Sequence, residues 1–133
     1  MPVISARTST DEEVSHAYKR HLQMQTDTLV KLINHAEDML QLDADREVVE
    51  YEEEEGLINA NDYMVSMREI GQSWTFHKEE IVELENRYMN IEERTGRLAQ
   101  ICQSRGLRKP SWERPLVRRV AELRAAYQTV RPP

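Results

Sequence analysis

The chain has 133 residues, of which 39% are apolar, 32% charged and only 6% aromatic, with a formal net charge of −6. That length serves one domain, and the mixture is too polar for a large layered core but suits long, exposed helices. Glycine and proline add nine residues together, and no proline lies between Val3 and Lys109, which leaves little of the turn chemistry that a sheet protein needs.

In chain order, residues 1–10 read as a flexible N-terminus. Ser9, Thr10 and Asp11 are candidate N-caps, followed by Glu12 and Glu13 where a helix start favours negative charge. Tyr18, Leu22, Gln25, Leu29, Leu32, Ala36 and Met39 then recur in alternating steps of four and three, a heptad seam in which Gln25 is the polar exception. Ile33 and Leu40 widen the stripe, which suits a helix with more than one neighbour.

Between Leu42 and Asn61 the pattern fails, because the later register run backwards would put Gly56, Glu53 and Arg46 at core positions. Residues 43–62 are therefore expected to form an acidic elbow, a loop or short helix, with Gly56 as the break; helix in a different register is the alternative for Asp43 to Asp62. On the elbow reading the first helix runs from Glu12 to Leu42 and spans about 46 Å at 1.5 Å per residue.

The second helix carries the strongest signal. Tyr63, Met67, Ile70, Trp74, His77, Ile81, Leu84, Tyr88, Ile91, Thr95, Leu98 and Cys102 follow steps of four and three without an error. A 3.5-residue period sustained over that length predicts a left-handed supercoil. Helix over Ala60 to Ser104 would reach about 68 Å, so a first helix ending at Leu42 would leave part of the seam uncovered. Gly106 is placed to end this helix. Pro115 suits the first turn of a third, in which Leu116, Val120, Leu123, Tyr127 and Val130 repeat the spacing.

The charge is distributed in blocks. Asp43 to Glu55 holds eight acids and one arginine, whereas Arg105 to Arg131 holds eight basic residues and two acids. In the basic tail, Arg108, Lys109, Arg114, Arg118, Arg119 and Arg124 could clamp an acidic protein surface, the chain's own elbow included, or lie on nucleic acid or anionic membrane. Trp112 reads equally as an anchor or as core. The acidic total argues against a general nucleic-acid binder, and the acidic elbow reads first as a solvated linker.

Chemistry finds little footing. A di-iron helical bundle needs two Glu-x-x-His elements; Glu13–His16 is one, and the residues three before His21, His35 and His77 are Tyr18, Leu32 and Trp74. One cysteine cannot supply the paired ligands of structural zinc. Cys102 sits in the seam near a helix C-terminus, where the dipole disfavours a thiolate. There is no Gly-rich phosphate loop and no nucleophile elbow. Trp74 and His77 occupy successive seam positions, so they read as packing before they read as a pocket, and protonation of His77 below about pH 6 could loosen the bundle. Tyr88 belongs to the seam, while Tyr51 lies in an acidic, accessible context.

No window approaches the roughly 18 apolar residues of a membrane span, and the N-terminus lacks a signal peptide's apolar core. An intracellular protein is expected, cytoplasmic first, with a nuclear location left open; a lone cysteine fits a reducing compartment. The expected fold is all-α: an elongated antiparallel helical hairpin or coiled coil over 11–104, with a basic linker and shorter third helix over 105–133. The expected function is that of a non-enzymatic, cofactor-free coiled-coil subunit or adaptor of a larger assembly, homo- or hetero-oligomeric. It would bind protein partners through Met67, Ile70, Trp74, His77, Ile81, Leu84, Tyr88, Ile91 and Leu98. The alternative is a dimeric regulatory module whose arginine-rich third helix binds nucleic acid or anionic membrane.

Overall fold

The computed structural model describes residues 9–107 and 110–131, the first four residues of the third helix by backbone alone. The described residues are helical apart from short connections: α1 spans Asp11–Glu54, α2 Ala60–Ser104 and α3 Pro110–Val130. No strand occurs among them.

Helix α1 starts where the capping chemistry is best. The Thr10 hydroxyl accepts from the Glu13 amide at 3.1 Å, and the Glu13 carboxylate accepts from the Thr10 amide at 3.1 Å, a reciprocal capping box. The Thr10 backbone amide first, and then its hydroxyl, hold the Glu13 carboxyl below the ordinary carboxylate value. Residues 1–8 lie outside the described residues, whereas Ser9 and Thr10 already flank the helix.

The expected elbow over 43–62 is not a loop. Helix α1 continues through the acidic run to Glu54, and the connection to α2 is only Glu55–Asn59. Along the run Arg46 bridges Asp43 at 2.9 Å and Glu50 at 4.0 Å, while Gln41 donates to Asp45 at 2.9 Å, all at the i,i+3 or i,i+4 spacing that adds modestly to a helix. The seam itself changes register here. After Met39 the half-buried positions are Leu42, Val49 and Glu52, while Asp43, Arg46 and Glu50 are exposed. Two successive steps of three, Ala36 to Met39 to Leu42, are a stammer in the heptad repeat.

Both long helices end alike. Gly56 and Gly106 adopt φ of +70° and +66°, the left-handed conformation that a side chain disfavours. The amides of Leu57 and Leu107 reach back to the carbonyls of Glu52 and Cys102 at 2.8 and 2.9 Å. Both ends are Schellman motifs that satisfy otherwise orphaned carbonyls. Helix α3 begins at Pro110, five residues before the proline that the sequence pattern favours, so Pro115 falls inside it.

Helices α1 and α2 run antiparallel over nearly equal lengths, about 66 and 68 Å for 44 and 45 residues. Arg105 meets Asp11 at 3.0 Å at one end, and His35 meets His77 farther along. Helix α3, at 21 residues only about 32 Å long, packs on α1 and turns back along α2, with Arg124 on Glu92 at 3.0 Å and Arg131 on Glu85 at 2.9 Å. It stays at the end where α1 begins. That end is a three-helix base; the opposite end is a two-helix arm.

Core burial follows this division. The base buries Val14, Tyr18, Leu22, Leu29, Leu32, Ala36 and Met39 from α1, Ile81, Leu84, Tyr88, Ile91, Leu98 and Cys102 from α2, and Leu123 and Tyr127 from α3. No described residue from Leu40 to Glu80 is buried. The glycines provide a check on the helix ends. Gly96 is mid-helix with open space around its Cα, so Gly96→Ala should raise stability by about 0.5–1 kcal/mol. Gly106→Ala, forced into the left-handed region, should lower it by about 1 kcal/mol; thermal denaturation of the two variants checks the opposite signs.

Candidate functional site

The nine seam positions divide at the boundary between base and arm. Ile81, Leu84, Tyr88, Ile91 and Leu98 are buried within the chain. Met67, Ile70 and His77 are half-buried, and Trp74 is 40% exposed. Of the stretch expected to bind a partner, Met67 to Leu98, the five positions from Ile81 onward are therefore occupied in packing within the chain, and Met67, Ile70, Trp74 and His77 are the ones not buried. The expected cause is corrected: α1 is long enough to lie along the whole of α2, and the seam is left open by the shortness of α3.

In the base, polar seam residues find one another. The Gln25 amide donates to the Tyr88 hydroxyl at 3.4 Å across the α1–α2 interface, so the exception in the first seam faces a hydroxyl in the second. Such a pairing favours one register over its neighbours. Thr95 closes its hydroxyl on the Ile91 carbonyl at 2.7 Å. His21 Nδ1 lies 2.8 Å from the Ala17 carbonyl, which can only accept, so Nδ1 carries the proton. Burial first, and then the Glu92 charge, push the Tyr88 hydroxyl pKa up, with Arg124 opposing. Tyr127 is raised in the same way by burial and then by Glu85, with Arg131 opposing, and its enclosed hydroxyl makes no hydrogen bond of good geometry.

Among the described residues, the arginines of the basic tail do not reach the acidic run, because α3 lies against the opposite end of α1. Arg105, Arg124 and Arg131 tie the base together through Asp11, Glu92 and Glu85, and Arg119 approaches Glu122 at 3.8 Å. Arg114, Arg118 and Arg119 are exposed. Arg108 and Lys109 lie outside the described residues, as does the side chain of Trp112.

The arm presents a groove of about 280 Å³ lined by Leu42, Asp43, Arg46, Met67, Ile70, Gly71 and Trp74. Apolar side chains form most of it, and Gly71 leaves its wall low, with nothing within 4 Å of where a Cβ would stand. Lys78 Nζ sits 5.0 Å from the centre of the Trp74 ring, a cation–π contact that keeps one face of the indole partly covered. Phe76, Met64, Val48 and Tyr51 are exposed elsewhere on the arm, at 53–61%. From Leu40 to Glu80 the sequence carries twelve acids and three basic residues, a net −9. The surface is thus an apolar groove in a strongly negative field.

Where arm meets base, His35 Nδ1 lies 2.8 Å from His77 Nδ1, with Phe76 edge-on to both rings. Periodicity marked His77 as a seam residue and gave no sign of His35, which sits beside that seam. Asp38 is 3.9 Å from His77 Nε2 but 62% exposed, so its attraction is largely screened. Among the described residues, no group of three or more His, Cys, Asp or Glu side chains is placed to hold a metal ion. Among those residues, too, no helix is long and apolar enough to cross a membrane. The chain matches no family model, no curated protein and no solved structure at a level that marks a relative.

The contact of the two rings ties the arm to the base at this level. His35→Ala, which removes it, should speed amide exchange around residues 33–40 and 74–81 relative to the natural chain at the same pH; unchanged exchange would show that the pair holds nothing together.

Proposed function

We propose that this chain is a non-enzymatic, coiled-coil protein-interaction subunit or adaptor, an α1–α2 helical hairpin that engages protein partners through its arm. The observation that carries this reading is the discontinuity of burial along one unbroken heptad repeat. Tyr63, Met67, Ile70 and Trp74 keep the spacing of Ile81 to Cys102, yet they lack the third helix that buries the latter. An apolar stripe of this kind, set among charged residues, has the form of a surface that is covered in the assembled state. A wide tryptophan at a seam position suits a bundle of three or more helices.

Mechanistically, a partner helix would lie in the arm groove, with Met67, Ile70 and Trp74 as anchors and the acidic flank of α1 setting orientation. Electrostatic complementarity of that sort governs the rate and specificity of encounter more than the final affinity. The arginine-rich α3 supplies a second, polar contact. The competing reading, a regulatory module that binds nucleic acid or anionic membrane through α3, is less favoured because Arg124 of α3, and Arg105 and Arg131 on either side of it, are engaged with carboxylates of the base.

The experiment is a paired one. Met67→Asp with Trp74→Asp, both on half-buried or exposed positions, should abolish capture of protein partners while leaving helicity unchanged. Ile81→Asp is a poor probe, since Ile81 is 7% exposed and its loss would disrupt the base. The natural chain should show no saturable binding to duplex DNA or to phosphatidylserine vesicles at physiological salt. Saturable binding that falls steeply with salt and is lost in Arg118→Glu/Arg119→Glu would overturn the proposal in favour of the alternative.

A further inference from the structure

We infer that the arm is covered by a second copy of this chain, packed antiparallel so that the arm of each copy lies along α3 of the other. This rests on the reading of the arm as an interaction surface and names its partner. Charge is the first reason. The arm carries −9, while α3 from Pro110 to Val130 carries four arginines and two acids, a net +2. Two copies set side by side in parallel would place −9 against −9. The antiparallel arrangement places −9 against +2, twice.

The detail of the two faces agrees. Beside the groove, Asp43, Glu47, Glu50 and Glu54 follow steps of four, three and four, and all are exposed, which makes an acidic stripe along one side of α1. On α3, Val117, Ala121 and Ala125 are exposed at successive steps of four, flanked by Arg114 and Arg118. Small side chains there allow a close approach by the groove rim, with arginines positioned to meet carboxylates.

Length is the second reason. The open stretch of α2, Ala60 to Glu80, is 21 residues, and α3 is 21 residues, each about 32 Å long. A strip of that length and about 10 Å wide, used on both partners in both contacts, removes on the order of 1,300 Å² from water, within the range of a stable interface. Because the two contacts are related by a two-fold axis, the pairing closes on itself and leaves no unpaired arm to propagate a filament.

Light scattering on a sizing column tests this with the full chain. The natural protein should show twice its 15.7 kDa mass at low salt and move towards the monomer as salt rises. Arg114→Glu/Arg118→Glu should be a monomer of unchanged helicity, and so should Glu47→Lys/Glu54→Lys. An equimolar mixture of these two variants should recover the dimer, because one contact is then native and the other has its charges exchanged. An arginine variant that still dimerises, or a mixture that stays monomeric, would exclude pairing of arm with α3. A natural chain that remains a monomer at every concentration would overturn the second copy as partner, while leaving the effect of Met67→Asp/Trp74→Asp on other proteins as a separate test of the interaction reading.

Discussion

The structure depends on a mismatch of lengths. Two helices of 44 and 45 residues lie side by side, and among the described residues a single helix of 21 residues is available to cover them. A pair of helices hides a narrow strip between them, whereas a third neighbour closes the groove and completes a core. Everything that distinguishes base from arm follows from where α3 stops, at the level of Glu85 on α2. The same repeat that is a core on one side of that level is a surface on the other.

The base is held by apolar burial and given its register by a few polar contacts. Burying a side chain such as Leu29 or Leu32 stabilises by about 1.5–3 kcal/mol, and those contacts alone would tolerate a shift of one heptad. The Gln25–Tyr88 bond, the Arg105–Asp11 pair and the Arg124–Glu92 and Arg131–Glu85 bridges would not all survive such a shift. Exposed ion pairs add little to stability individually, so their part here is selection among registers. The arm has fewer such ties, chief among them the contact of His35 with His77 at its root.

The all-helical class and the span of α2 were legible in the sequence because one period runs from Tyr63 to Cys102 without interruption and each end carries its own stop or cap. The cap at Thr10 and the break at Gly56 were legible for the same reason: they are local chemistry. The continuity of α1 past Leu42 was legible only as the alternative of a changed register, since reading in a single register puts Arg46 and Glu53 in the seam, whereas the helix shifts its seam by one residue to Leu42 and Val49. Helix needs a core stripe less than it needs backbone continuity, and residues 43–54 are glutamate-rich, without glycine or proline. The histidine pair escaped notice because it joins two helices 42 residues apart, with His35 off the repeat. The groove at Trp74 was half visible: spacing gave its apolar residues, but only the position of α3 shows that they stay uncovered.

The unequal covering of the two halves of one repeat is measured most directly by residue-resolved amide hydrogen exchange on the dilute chain. Amides of Ile81 to Leu98 should exchange through large unfolding events, and those of Tyr63 to Trp74 through smaller, local ones, so the second group exchanges markedly faster. Protection of Tyr63 to Trp74 should then rise with protein concentration as the arm becomes covered. Equal protection of the two stretches at high dilution would contradict the division into base and arm.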